Sequence, residues 1–288
     1  MAVSPDFEVE RLPATFGAVV RDVKLSALSD DAFDAFYACW LDHGLLIVPD
    51  QFLTEAEQIA FAQRFGPLEI ELGVLTNLLP DGSLRPCDDE ADDMVKVFRG
   101  NMAWHQDSTY MPVQAKAAVF SAVTVPDGYV TEFADMEAAY DALDPGERRS
   151  VDGLSAYHSL VRSQAKVGHV QTAASNYDGY GMDVAEPPLR PLVKCHPETG
   201  RKSLSIGRHA FALDEGDEAA SEAMLNRLRD VACRAPRTWA HIWSPGDVVI
   251  WDNRRLMHRA GPWDMTIPRV MWHSRIAGDP ASEGVATV

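Results

Sequence analysis

The chain has 288 residues, enough for one large domain or two small ones with a sizeable core. Hydrophobic residues make up 46% and charged residues 24%, an ordinary balance for a globular protein. A formal charge of −17 argues against nucleic acid or an anionic membrane surface as a partner. The four cysteines, Cys39, Cys87, Cys195 and Cys233, form no CxxC pair, so neither a disulfide framework nor a cysteine zinc site is expected. The N-terminal stretch MAVSPDFEVERL lacks an apolar core, and no apolar run is long enough to span a bilayer. These features together point to the cytoplasm.

In chain order, Phe33, Phe36, Tyr37, Trp40 and Leu41 recur at helical spacing, and GLLIVPD then reads as a short buried strand. Thr54 and Glu57 form a capping-box pattern that opens a second helix. From residue 73 to about 100 the chain turns polar and reads as a long surface loop. AAVFSAVTV is strand-like, a turn follows at Pro126-Asp127-Gly128, and TEFADMEAAYDAL passes from strand into helix. Residues 163–191, rich in Gly, Ser, Asn and Asp, read as a second long loop and a candidate lid. VKCHPETGRKSLSI suggests a hairpin turning at Thr199-Gly200. Met224, Leu225, Leu228, Val231 and Ala232 mark a helix, and Trp239, His241 and Trp243 alternate as in a strand. GDVVIWDN and RVMWHSRIAG are further strands. Many strands, a few helices and no regular βαβ alternation predict a β-rich α+β fold, a double-sheet jelly roll with flanking helices. No boundary for a second domain is visible, so residues 1–288 are read as one domain.

His105 and Asp107 lie two residues apart in AWHQDSTYMP. On an extended segment such residues share a side and could meet one metal ion. The triplet alone better fits an ordinary polar loop, with the histidine capping a turn and the aspartate accepting backbone N–H bonds. His258, just past the apolar strand in VVIWDNRRLMHRAG, is the best candidate for a third ligand. Two histidines and a carboxylate make the facial triad of non-haem Fe(II) oxygenases, with positions left open. Arg269, eleven residues on, could grip the far carboxylate of 2-oxoglutarate through paired hydrogen bonds. By itself it would pass for a surface ion-pair residue.

WHQDSTY, TEFADMEAAYDAL, GDVVIWDNRRLMHRA and PRVMWHSRIAGD, with GAVVRDVKL and FAQRFGPLE, resemble the taurine dioxygenase/2,4-dichlorophenoxyacetate dioxygenase family over nearly the whole chain. The resemblance implies a distorted double-stranded β-helix (jelly roll), Fe(II), 2-oxoglutarate as co-substrate and O2. It implies hydroxylation of a small organic acid with release of succinate and CO2, and bond cleavage where the hydroxylated carbon bears an ether oxygen or sulfonate. His105, Asp107 and His258 fall on the iron ligands, and Thr131 and Arg269 on the residues that hold the 2-oxoglutarate carboxylate. Asn101 falls where relatives place an amide near the substrate, or is a turn residue after Gly100. Because the carboxylate ligand is present, oxygen transfer is expected rather than halogenation. Homo-oligomers are expected from the family alone. The rival expectation is a cupin-like metal-binding protein or a zinc hydrolase without 2-oxoglutarate chemistry.

The chain departs from the family in two places. The Gly-Gly pair usual before the threonine is replaced by Gly128-Tyr129-Val130. A second arginine, which relatives carry four residues after the first to hold a substrate anion, is replaced by His273, with Arg275 two residues further. Positions 269, 271, 273 and 275 share one face of a regular strand. His273 or Arg275, helped by Asn101, is therefore expected to hold an anionic substrate group, His273 only while it is protonated.

Overall fold

The computed structural model describes residues 7–89, 91–170, 180–214 and 216–285. Its first elements are β1 (Glu8–Arg11), β2 (Ala18–Arg21), α1 (Asp30–His43), β3 (Leu45–Val48), α2 (Glu55–Gln63) and β4 (Leu68–Thr76). Then come α3 (Asp93–Asn101), β5 (Ala117–Thr124), β6 (Val130–Asp135), α4 (Met136–Asp141), α5 (Pro145–Val151), β7 (Ser155–His158) and α6 (Leu160–Ala165). The short strands β8 (Leu189–Pro191), β9 (Val193–Cys195), β10 (Lys202–Leu204) and β11 (Ala210–Leu213) precede α7 (Glu218–Ala232). The chain closes with β12 (Thr238–Ile242), β13 (Val248–Asp252), β14 (Leu256–Ala260), β15 (Val270–Ile276) and α8 (Pro280–Glu283).

Seven strands form the main sheet in the order β1-β2-β3-β13-β5-β15-β4. Its pairs are antiparallel except β2 with β3. A three-stranded sheet, β12-β6-β14, faces it, and β11-β7-β8 and β10-β9 form smaller sheets. The central strand β13 is buried on both faces. Val248 and Ile250, with Ala117 and Val119 of β5, face Phe36, Trp40 and Phe61 of α1 and α2. Val249 and Trp251 face the other way and meet Phe133 of β6 and Leu256 of β14. Strand alternation divides these residues between two cores, and double-sided burial explains why VVIW reads as an unbroken apolar run.

Local signals set the helix ends. Ser29 accepts the Ala32 N–H at 3.2 Å to open α1, and Gly44, at φ 74°, closes it by donating to the Trp40 carbonyl at 2.7 Å. Both bonds of the Thr54–Glu57 capping box are present at α2. β9 and β10 pair as the expected hairpin. No described helix is long and apolar enough to cross a membrane.

Three segments differ from their sequence reading. The stretch 73–100 is not one loop, since β4 runs to Thr76 and α3 spans Asp93–Asn101. Asp92 caps α3 through Met94 and Val95 N–H, a signal hidden in the acidic run before it. The stretch 163–191 begins inside α6 and ends in β8, and residues 171–179, where the lid was expected, lie outside the described residues. His258 does not sit in a connection. It stands on β14, which belongs to the sheet opposite β13.

Candidate active site

A cavity of about 250 Å³ opens between the two facing sheets. Phe120 of β5, His273 and Arg275 of β15, and Ile70 and Leu75 of β4 line one side, and Thr131 of β6 and His258 and Ala260 of β14 line the other. Val97, Phe98 and Asn101 enter from α3. Every residue singled out in the sequence as metal-, co-substrate- or substrate-binding lines this one cavity: Asn101, His105, Asp107, Thr131, His258, Arg269, His273 and Arg275.

His105 and His258 exchange both backbone hydrogen bonds, at 2.9 and 2.8 Å, and their rings lie 4.2 Å apart. The ligand atoms of His105, Asp107 and His258 all fall within 4.8 Å of one another, and all three residues are buried. His105 Nδ1 lies 2.8 Å from the Ala103 carbonyl, so Nδ1 carries the proton and Nε2 keeps its lone pair. Asp107 Oδ1 pairs with Arg275 at 3.2 Å, while Oδ2 is buried without a hydrogen-bond partner among the described residues. His258 Nδ1 is likewise buried and unpartnered. Burial holds His105 neutral, at about 3, with the nearby His258 acting the same way. Burial alone would raise the Asp107 carboxyl, but Arg275, His258 and His105 outweigh it and hold it at about 2. Two neutral imidazoles and an ionised carboxylate with buried, unsatisfied atoms fit a divalent cation and leave coordination positions free.

Arg269 is 3% exposed and its Nε has no partner among the described residues. Its guanidinium lies 4.3 Å from the Trp263 ring and donates to the Tyr129 hydroxyl at 2.8 Å. Tyr129 is one of the residues replacing the family's Gly-Gly pair, so that departure brings a partner for the arginine. Thr131 Oγ1 accepts from Trp243 Nε1 at 2.9 Å, which leaves its own O–H to donate.

The expected substrate anchors fare differently. Asn101 ends α3 in the cavity wall. His273 shares a face with Arg269 and Arg275, but burial, followed by Arg275, pushes its imidazole down to about 3, so it carries no charge near neutrality. Arg275 is engaged with Asp107, and its Nη1 donates to Tyr180 at 2.9 Å. Sequence reasoning missed Gln164, Tyr180, Arg208 and His209, which also line the cavity. Arg208 bonds Gln164, and both fill space that a side chain at Gly100 would occupy. Tyr180, Arg208 and His209 lie in loops and Gln164 in the short helix α6, with no periodic pattern to mark them.

The chain matches the model of the taurine catabolism dioxygenase TauD, TfdA family over residues 8–275. The chain belongs to this family. It is 58% identical over 283 residues to the (S)-phenoxypropionate/alpha-ketoglutarate-dioxygenase of Sphingobium herbicidovorans, covering 98% of each. It is 33% identical over 272 residues to the alpha-ketoglutarate-dependent 2,4-dichlorophenoxyacetate dioxygenase of Cupriavidus pinatubonensis, covering 88% of this chain and 92% of that one. Among solved structures, AAD-2 in complex with Mn(II) and N-oxalylglycine superposes with a TM-score of 0.87 at 31% identity, covering 98% of this chain and 99% of that one. As a member of the family the chain is a dioxygenase, an oxidoreductase.

Proposed function

We propose that this enzyme cleaves aryloxyalkanoates, with (S)-2-aryloxypropionates as its best substrates. It is a 2-oxoglutarate-dependent dioxygenase using Fe(II) and O2 to hydroxylate a small organic substrate, with release of succinate and CO2. The observation that carries the co-substrate site is Arg269, a buried cation with no carboxylate partner among the described residues. Burying an uncompensated charge is costly, and an incoming carboxylate offsets that cost. A zinc hydrolase or cupin-like binder would leave this cation nothing to hold.

His105, Asp107 and His258 would hold the iron, which when bound supplies the chemistry that inserts one atom of O2 at a C–H bond. Arg269 pairs with the distal carboxylate of 2-oxoglutarate, and Thr131 donates its hydroxyl to the same group. Ile70, Leu75, Val97, Phe98 and Phe120 give an apolar wall for an aryl ring and exclude water. Arg208, with Asn101 of α3 lining the same cavity, takes the substrate carboxylate. With a 2-aryloxypropionate, hydroxylation at C2 gives a hemiketal. Its O–H proton passes to the departing aryloxide oxygen, and the C–O bond breaks to leave a phenol and pyruvate. One O2 and one 2-oxoglutarate are consumed per phenol. The retained carboxylate ligand fits oxygen transfer rather than halogenation. We read the facing sheets as the distorted jelly roll of the family, with residues 1–288 as one domain and the described parts of the segments near 73–100 and 163–191 beside the site.

The test has two parts. Anaerobic Fe(II) plus 2-oxoglutarate is expected to give a visible charge-transfer band, and its absence from iron-loaded protein sinks the co-substrate reading. Aerobic turnover of paired enantiomers is then expected to release phenol and succinate in equal amounts, faster from the (S) form. Equal or reversed preference overturns the substrate assignment.

A further inference from the structure

Asn253 is fully buried in the turn between β13 and β14, five residues before His258. Its side chain faces the backbone of Asp107. Oδ1 accepts the Asp107 N–H at 2.7 Å, and Nδ2 donates to the Asp107 carbonyl at 2.9 Å and to the Ala115 carbonyl at 2.9 Å. Its backbone joins in, donating to the Lys116 carbonyl at 3.0 Å and accepting from Gln106 Nε2 at 3.0 Å.

The His105–His258 pair explains this geometry. The two residues exchange both N–H···O bonds, as in a hydrogen-bonded antiparallel pair. In a continuing ladder the next such rung would join Asp107 to the backbone of Leu256. The segment instead turns away at Ser108, whose φ of 57° is left-handed. We infer that Asn253 is a positioning residue whose side-chain amide replaces that missing rung and fixes Asp107 relative to His105 and His258. A primary amide is the one side-chain group offering a donor and an acceptor in the plane of a peptide. An aspartate would set an oxygen against the Asp107 carbonyl, and a serine is too short to span both groups.

The inference rests on the metal reading of His105, Asp107 and His258, and its test separates the two. Anaerobic Fe(II) titration of the charge-transfer band, at saturating 2-oxoglutarate, is run on the wild type, Asn253→Asp, Asn253→Ser and Gln114→Ala. Gln114 is a control from the same buried cluster, bonding the Asn253 carbonyl at 3.3 Å without a bond to Asp107. Both Asn253 variants are expected to need roughly tenfold more Fe(II) or beyond, the usual loss when a residue orienting a ligand is removed. Gln114→Ala should stay within about twofold even where its melting temperature falls. Amide hydrogen exchange on the metal-free wild type needs no variant: the Asp107 N–H should be protected as strongly as that of His105. An unchanged midpoint in a folded Asn253 variant, an equal shift in Gln114→Ala, or rapid exchange at Asp107 overturns the role. Absence of a band in the wild type overturns the metal reading instead.

Discussion

At the scale of single residues, the site is defined by polar atoms without partners. Asp107 Oδ2, His258 Nδ1 and Arg269 Nε are all buried and unsatisfied among the described residues. Gathered around one cavity, such atoms offer a ligand the partners it needs. Replacing His105, Asp107 or His258 with Ala is expected to abolish both turnover and the charge-transfer band while the circular dichroism stays native. Normal turnover by any of these variants at limiting iron would remove that residue from the ligand set. Arg269→Ala is expected to leave iron binding intact and raise the 2-oxoglutarate requirement. A lost buried pair costs about 2–5 kcal/mol, or roughly 30-fold or more in affinity. An unchanged apparent affinity would show that another cation holds the co-substrate. The former candidate His273, held neutral by burial, should give no mildly acidic inflection in substrate affinity.

At the scale of elements, α3 and β8 show how whole segments shape the cavity. α3 ends with Gly100 packed against Gln164 and Arg208. Gly→Ala in a helix normally stabilises by up to about 1 kcal/mol. Here the added methyl collides with both side chains, which are flexible enough to move. Gly100→Ala is therefore expected to keep its melting temperature and raise KM for the aryloxy acid by roughly fivefold, about 1 kcal/mol, with KM for 2-oxoglutarate unchanged. Steady-state kinetics with each substrate varied in turn checks this. Equal effects on both would place Arg208 outside the substrate subsite. Arg190 of β8, 2% exposed, donates to the Thr109, Met111 and Glu283 carbonyls and pins the turn after Asp107 to the C-terminal segment.

At the scale of the whole molecule, burial of histidines couples folding to pH. His158 is fully buried with both ring nitrogens unpartnered among the described residues, and burial, followed by Arg190 and Lys194, lowers it to about 3. The unfolded chain binds the proton near pH 6.5 and the folded chain does not, so stability falls as pH drops from 6.5 toward 3. One such histidine contributes up to about 1.4 kcal/mol per pH unit across that window. Urea denaturation of metal-free protein between pH 7 and 5 should show the decline, and His158→Leu should flatten it by about one such contribution. A parallel slope in the variant would locate the effect elsewhere.

The sequence by itself determined what depends on short-range physics. The capping box of α2, the helical spacing of Phe33, Phe36 and Trp40, and the doubly buried VVIW strand all use neighbouring residues only, so each could be read without a fold. The motif spacing of His105, Asp107, His258, Thr131 and Arg269 was legible too, through the family likeness. Tertiary structure alone decided which cation answers to which anion. Arg269 and Arg275 look alike on one strand face, yet Arg275 meets Asp107, while among the described residues the Arg269 guanidinium meets aromatic rings and a hydroxyl. Arg208, Tyr180 and Asn253 gained their places only when distant segments met. Charge pairing and ladder completion depend on distance in space, and the topology that brings residue 253 to residue 107 has no signature in either segment.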